Sequence, residues 1–115
     1  SHSHTHPILT QIPAAQAAEG LSLSRSILEQ KLGRPVTSLC YPNGDADEAV
    51  ARAARNAGYR RAVTTRWGWN PRGADPLQLS RCDIQACSAR SRSGELSAPR
   101  LAWRLSGLYP GVGVN

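Results

Sequence analysis

An α/β fold with a parallel sheet is predicted from the order of elements along the chain: helix, strand, helix, strand, joined by short links. Three observations carry the prediction. Leucines recur at helical spacing before residue 33, two short runs rich in β-branched residues follow at 36–41 and 61–65, and Gly/Pro/Asn/Asp clusters separate the runs.

The first helix is expected over about 13–32, where Leu21, Leu28 and Leu32 share a face with Ile27 beside them and Glu29, Gln30 and Lys31 lie off it. Gly20 weakens its middle, so a well-formed helix is expected only from about Leu21. Gly33 suits a left-handed stop, and Pro35 prevents resumption. Val36 to Tyr41 reads as a strand. Pro42-Asn43-Gly44-Asp45 is a dense turn, after which Asp45 or Asp47 can cap a second helix with Glu48 in its first turn. Val50, Ala53, Ala54 and Ala57 give that helix an apolar face, and Gly58 ends it. Arg61 to Thr65 is the second strand. Beyond it Trp67-Gly68-Trp69-Asn70-Pro71 and Gly73 to Pro76 read as loops, Leu79 to Ile84 as a third short strand, Leu96 to Leu105 as a last helix and 111–115 as a loose tail.

A chain of 115 residues has room for one domain, 1–115, with βα units to about 86 and a loop, short helix and tail over 87–115. With Phe and Met absent, its core must be built from Leu, Ile, Val and Ala. Apolar stretches of only a few residues predict no transmembrane segment. The polar, His-rich start has no apolar h-region of a signal peptide, and opening on Ser1 fits a beginning that has been lost. The net charge of +6 comes from 14 basic and 8 acidic residues, all the basic ones except Lys31 being arginine. The arginines are scattered rather than striped, so a solvated surface is favoured and nucleic acid is not expected. Cys40, Cys82 and Cys87 make an odd set with no zinc-like spacing; Cys82 and Cys87 can at most close a local loop.

The chemistry sits at the start, in Ser1-His2-Ser3-His4-Thr5-His6-Pro7. Imidazole is a good zinc ligand, and His2 and His6, four apart, would share one side of a helical turn with His4 pointing elsewhere. Read alone, alternating His and Ser or Thr is also what an expression tag leaves.

The segment SHSHTHPILT resembles the His-[Ser/Thr]-x-x-His-Pro motif of the polysaccharide deacetylase (NodB homology) family. SRSILEQKLGRPVTSLCYPNGD, AGYRRAVTTRWGWN and DPLQLSRCDI resemble later segments of that family in the right order, and LAWRLSGLYP looks like its usual ending. The resemblance implies a distorted (β/α) barrel of the TIM-barrel-like kind, here incomplete, that hydrolyses acetyl groups on an N-acetylated polysaccharide. It implies a divalent metal, usually zinc, held by His2 and His6 together with an aspartate, and a second aspartate as general base. Both aspartates belong to a motif upstream of the histidines in the family, so a missing amino-terminal part of the domain is implied, with this chain a truncated form inactive alone. Ser3 is implied to steady the loop. Tyr41, Pro42 and Asn43 fall on the family's third motif, where the Asn43 backbone N–H is implied as an oxyanion donor; a plain strand-to-helix turn is the structural alternative.

Two departures stand out. Cys40 occupies the place of an arginine that orients the base in many relatives, and no histidine follows His6 to act as the later general acid. Arg81 is the nearest match there, and a surface salt bridge is its structural alternative. Trp67 and Trp69 can stack on sugar rings or simply pack in their loop. The setting implied is bacterial and extracytoplasmic, periplasmic or at the cell envelope. Two other classes compete: a non-catalytic carbohydrate-binding or structural remnant, and an arginine-driven binder of nucleic acid or another anionic polymer.

Overall fold

Ala17, Leu21 and Ser24, spaced four and three apart, are the buried stripe of the first helix, and they decide where it runs. In the computed structural model, which describes residues 1–82, 84–85 and 89–106, α1 spans Ala14–Leu32 without a break at Gly20. Burial of Ala17 and Leu21 on either side outweighs a glycine that costs only about 1 kcal/mol relative to alanine. Gly33 ends α1 in the left-handed conformation, φ 63°, with its N–H on Glu29 O at 2.9 Å.

The remaining elements are β1 (Ser38–Cys40), α2 (Glu48–Asn56), β2 (Arg61–Trp67), β3 (Leu79–Arg81) and α3 (Ala98–Leu105), with 3-10 turns at Leu9–Gln11 and Pro42–Gly44. Asp47, not Asp45, caps α2: its Oδ1 accepts from the Val50 N–H at 2.7 Å. β1 and β3 are shorter than the sequence suggests and β2 is longer, because pairing with neighbours, not composition, sets where a strand stops. Leu96 lies outside α3; it is exposed and forms an isolated antiparallel bridge with Arg90. Asp83, Cys87 and the tail over 111–115 lie outside the described residues. Cys40 and Cys82 are half-buried free thiols.

The three strands form one parallel sheet in the order β1-β2-β3, with Leu39 opposite Ala62 and Cys40 opposite Val63. This is the predicted α/β arrangement. Leu39 and Ala62 point into a core shared with Leu21 of α1 and Val50 and Ala54 of α2. The other face carries the row Cys40, Val63 and Leu79, all half-exposed. Parallel sheets are normally covered on both faces, and in a (β/α) barrel such a row would point inward, so the arrangement is that of an incomplete barrel.

α1 is tied to the rest through Arg25. Its Nε donates to Val36 O at 3.0 Å, its Nη1 to Ala57 O at 2.8 Å, and its Nη2 pairs with Glu29 Oε1 at 2.9 Å. Gly58, at φ 92°, lets it pass, since a Cβ there would collide with the guanidinium.

Two tyrosines pin the core. Tyr41 donates its hydroxyl to Leu77 O at 2.8 Å and Tyr59 to Leu21 O at 3.1 Å. Burial, with a smaller contribution from the Asp75 carboxylate against the opposing Arg55 guanidinium, pushes the Tyr41 hydroxyl up from 10.0 to about 12. Burial also raises Tyr59. Groups raised on folding give stability that is complete below the unfolded value and disappears as pH climbs to the folded one. The midpoint of urea unfolding is therefore expected to hold steady up to about pH 10 and to fall steadily toward pH 12, and Tyr41→Phe should flatten that decline.

Candidate metal centre

The amino-terminal segment lies beside β1 as a parallel neighbour would. The Ser1 amino group donates to Ser38 O at 2.9 Å, and the Cys40 N–H donates to Ser1 O at 2.9 Å. His2 is thereby delivered to the carboxyl end of β1, where its Nδ1 sits 2.8 Å from Cys40 O. A carbonyl only accepts, so the proton is on Nδ1 and the Nε2 lone pair is left facing away from the strand.

That nitrogen meets His6 Nε2 at 3.0 Å, with the two ring centroids 4.7 Å apart. The pair does not arise from a helical turn, as the spacing of four suggests. Ser3 and His6 adopt left-handed backbone conformations, φ 61° and 57°, and the loop folds back on itself. Ser3 Oγ accepts the His6 N–H at 3.1 Å and closes it. His4 is exposed and lines a depression against α1 with Leu9, Gln16 and Glu19.

Two nitrogens bound to one tetrahedral zinc lie about 3.3 Å apart, so this pair would need to part by only about 0.3 Å to hold an ion between them. With His2 already in the ligating tautomer, the donor set fits a divalent cation. Among the described residues no third His, Cys, Asp or Glu converges on the same point.

The loop is held from beneath by Ser24, the residue that opens the family-like segment SRSILEQKLGRPVTSLCYPNGD but to which the sequence reading gives no role. Its hydroxyl lies 2.8 Å from Ser1 Oγ and donates to Ser3 O at 3.0 Å, and it is buried. The available signal is a serine in the apolar stripe of α1, seven residues after Ala17 and three after Leu21.

The other candidate residues gather at the same edge, where ligands bind parallel sheets. Asn43 lies just past β1 at φ 57°, a conformation asparagine tolerates, with its Nδ2 donating to Asp45 Oδ2 at 2.7 Å and its carbonyl accepting from Thr65 Oγ1 at 3.2 Å. Trp67 ends β2, half-buried, with the Arg104 guanidinium 5.7 Å from its ring centroid. Arg81 ends β3 and reaches across β2 until its Nη1 is 4.0 Å from Cys40 Sγ. Tyr41 and Pro42, in contrast, are fully buried. The Tyr41 hydroxyl is on Leu77 O, and these two side chains pack into the turn.

The sequence model of the family described as polysaccharide deacetylase matches residues 1–62. No curated protein matches the chain by sequence. Among solved structures, the deacetylase PplD of Streptococcus pyogenes, in complex with acetate, is similar at 23% identity and a TM-score of 0.76. That similarity covers 96% of this chain and 44% of PplD. A polysaccharide deacetylase from Bacillus cereus is similar at 26% identity and a TM-score of 0.74, over 91% of this chain and 31% of that one. A de-N-acetylase from Aggregatibacter actinomycetemcomitans shares the fold at 14% identity and a TM-score of 0.59, over 79% of this chain and 31% of its own. The chain thus spans less than half the length of each. With the family's sequence pattern covering 62 of its 115 residues and its fold matching solved members, the chain belongs to the polysaccharide deacetylase family.

Proposed function

We propose that this chain carries one half of the active site of a metal-dependent hydrolase that removes acetyl groups from an N-acetylated polysaccharide. The observation that supports this most is the convergence of His2 Nε2 and His6 Nε2 at the carboxyl end of β1. In this reading His2 and His6 hold a divalent ion, zinc by its preference for imidazole, and His6 carries its proton on Nδ1 when the ion is bound. The ion supplies Lewis acidity and a more acidic bound water. The Asn43 backbone N–H faces the oxygen that becomes negative, and Trp67 and Arg81 line the approach of the sugar chain.

The family's third metal ligand and its base, both aspartates, belong to a segment ahead of His2. Asp45 and Asp47 are engaged by Asn43 and by the cap of α2, and Asp75 by Arg55 and the Leu77 N–H, so none of these three is free to replace them. Turnover is therefore assigned to the chain together with that segment, in an extracytoplasmic setting where the polymer lies. Among the described residues no helix is long and apolar enough to cross a membrane. The deciding measurement is acetate release from an acetylated glucosamine oligomer, compared between these 115 residues and a chain extended upstream through an aspartate pair. Release only by the extended chain supports the reading. Equal release by both would put the base within the present residues and overturn the assignment.

For the metal, about one zinc or cobalt ion per chain is expected by calorimetry, with binding abolished by His2→Ala or His6→Ala and little changed by His4→Ala. Ser24→Ala should weaken binding about tenfold, within the range known for residues that orient ligands, without removing a ligand. Equal losses from all three histidine substitutions would instead mean an unstructured chelating tract.

Asn43 separates a backbone role from a side-chain role. Proline cannot adopt φ 57°, and alanine is strained there by about 1 kcal/mol. Glycine keeps both the conformation and the N–H, so Asn43→Gly in the extended enzyme is expected to retain kcat within a few-fold. A loss of a hundredfold would show that the amide side chain acts directly.

A further inference from the structure

The β2–β3 ladder is irregular in a way that bears on the site. Val63 pairs with Leu79 and Trp67 with Arg81, so four steps along β2 match two along β3. In a regular ladder continuing from Val63, Arg81 would face Thr65. The two extra residues of β2 bring Trp67 level with Arg81 instead.

Over this stretch side chains take up consecutive carbonyls of the β3 segment. Gln78 O accepts from Arg66 Nη2 at 2.8 Å, Leu79 O from Thr64 Oγ1 at 3.1 Å and Ser80 O from Asn70 Nδ2 at 2.8 Å. Asn70 makes a second bond: its Oδ1 accepts the Ser80 N–H, also at 2.8 Å. A primary amide carries the same donor and acceptor as a peptide group, so Asn70 engages Ser80 as one residue of a neighbouring strand would. Glutamine has the same amide on a longer stem, and no other side chain carries a primary amide.

We propose that Asn70 is a positioning residue: its two-point clamp on Ser80 fixes the shifted β2–β3 register and so holds Trp67 and Arg81 side by side at the carboxyl edge. The consequence for substrate rests on the roles given above to Trp67 and Arg81; the register itself does not. A residue that only stapled the loop over 68–70 would leave the pairing of Trp67 with Arg81 unchanged when removed.

Interstrand nuclear Overhauser contacts in the full-length protein distinguish the two. In Asn70→Ala the backbone contacts between Trp67 and Arg81 should be lost and the Ser80 amide should exchange about tenfold faster, the loss of roughly one hydrogen bond. Contacts between Leu39 and Ala62 should persist, reporting an intact fold. Persistence of the Trp67–Arg81 contacts overturns the proposal. Should the alanine variant not fold, Asn70→Asp, which keeps the acceptor but not the donor, carries the same comparison.

Binding of an acetylated glucosamine tetramer then tests the consequence. Asn70→Ala and Arg81→Ala should each weaken it, and the double variant should be no weaker than Arg81→Ala alone. Losses that multiply would overturn the route through Arg81. If Arg81→Ala leaves binding unchanged while the register contacts are lost in Asn70→Ala, the clamp stands and the substrate role of Arg81 falls.

Discussion

The main chain of Cys40 is the point on which the site depends. Its N–H donates to Ser1 O and its carbonyl accepts from His2 Nδ1, at 2.9 and 2.8 Å. In a parallel strand alternate residues turn their peptide groups to opposite sides. Here Tyr41 N–H and Thr37 O face β2 through Val63 O and Arg61 N–H, which leaves Ser38 and Cys40 facing outward. The outward groups are taken by the amino-terminal segment, and the imidazole next to Ser1 arrives at the strand end with its tautomer already decided. The position of the first candidate ligand is thus set by sheet geometry and not by a loop.

The loop after His2 is held against its backbone preference. Among the described residues Ser3, His6 and Asn43 are the non-glycine residues in the left-handed region, at a cost of about 1–2 kcal/mol for Ser3 and His6 and less for asparagine, and all three lie at the candidate site. Local hydrogen bonds offset that cost: Ser3 Oγ to the His6 N–H, Ser24 Oγ to Ser3 O, and the Asn43 carbonyl to Thr65 Oγ1. Gly44 completes the turn at φ 81°, where any Cβ would run into Thr65. The strain therefore lies around the two imidazoles and the Asn43 turn, and supporting atoms come from α1 and β2, both anchored in the core.

Local signals make the helices legible. The apolar stripe of α1, Gly33 as its left-handed stop and Asp47 as the cap of α2 all depend on neighbours within a few residues. The His2 and His6 pairing is legible as a motif, but the helical turn expected for it is wrong, because positive φ at a serine and a histidine has no sequence signature. Strand ends are misplaced for a different reason. β2 runs on to Trp67 because β3 meets it out of register, and that shift depends on Thr64, Arg66 and Asn70 reaching carbonyls ten to fifteen residues away. Ser24 opens a family-like segment, but what it and Arg25 do is not legible for the same reason, since their partners are backbone atoms distant in sequence.

One face of the sheet is finished and the other is not. Leu39, Ala62 and Thr64 are buried, with the first two in the core beneath α1 and α2, while the Cys40, Val63 and Leu79 row on the opposite face remains half-exposed. A barrel interior is filled by side chains contributed from alternate strands around the whole ring, so three strands can supply only part of each layer. The relatives are more than twice as long as the span they share with this chain, which is 44% of PplD. The carboxyl edge obeys the same arithmetic as the interior. His2 and His6 converge from one side, and Trp67 and Arg81 stand level on the other. The half-exposed face and the two convergent imidazoles thus belong to the same three strands, the imidazoles at their carboxyl edge and the open row on their uncovered side.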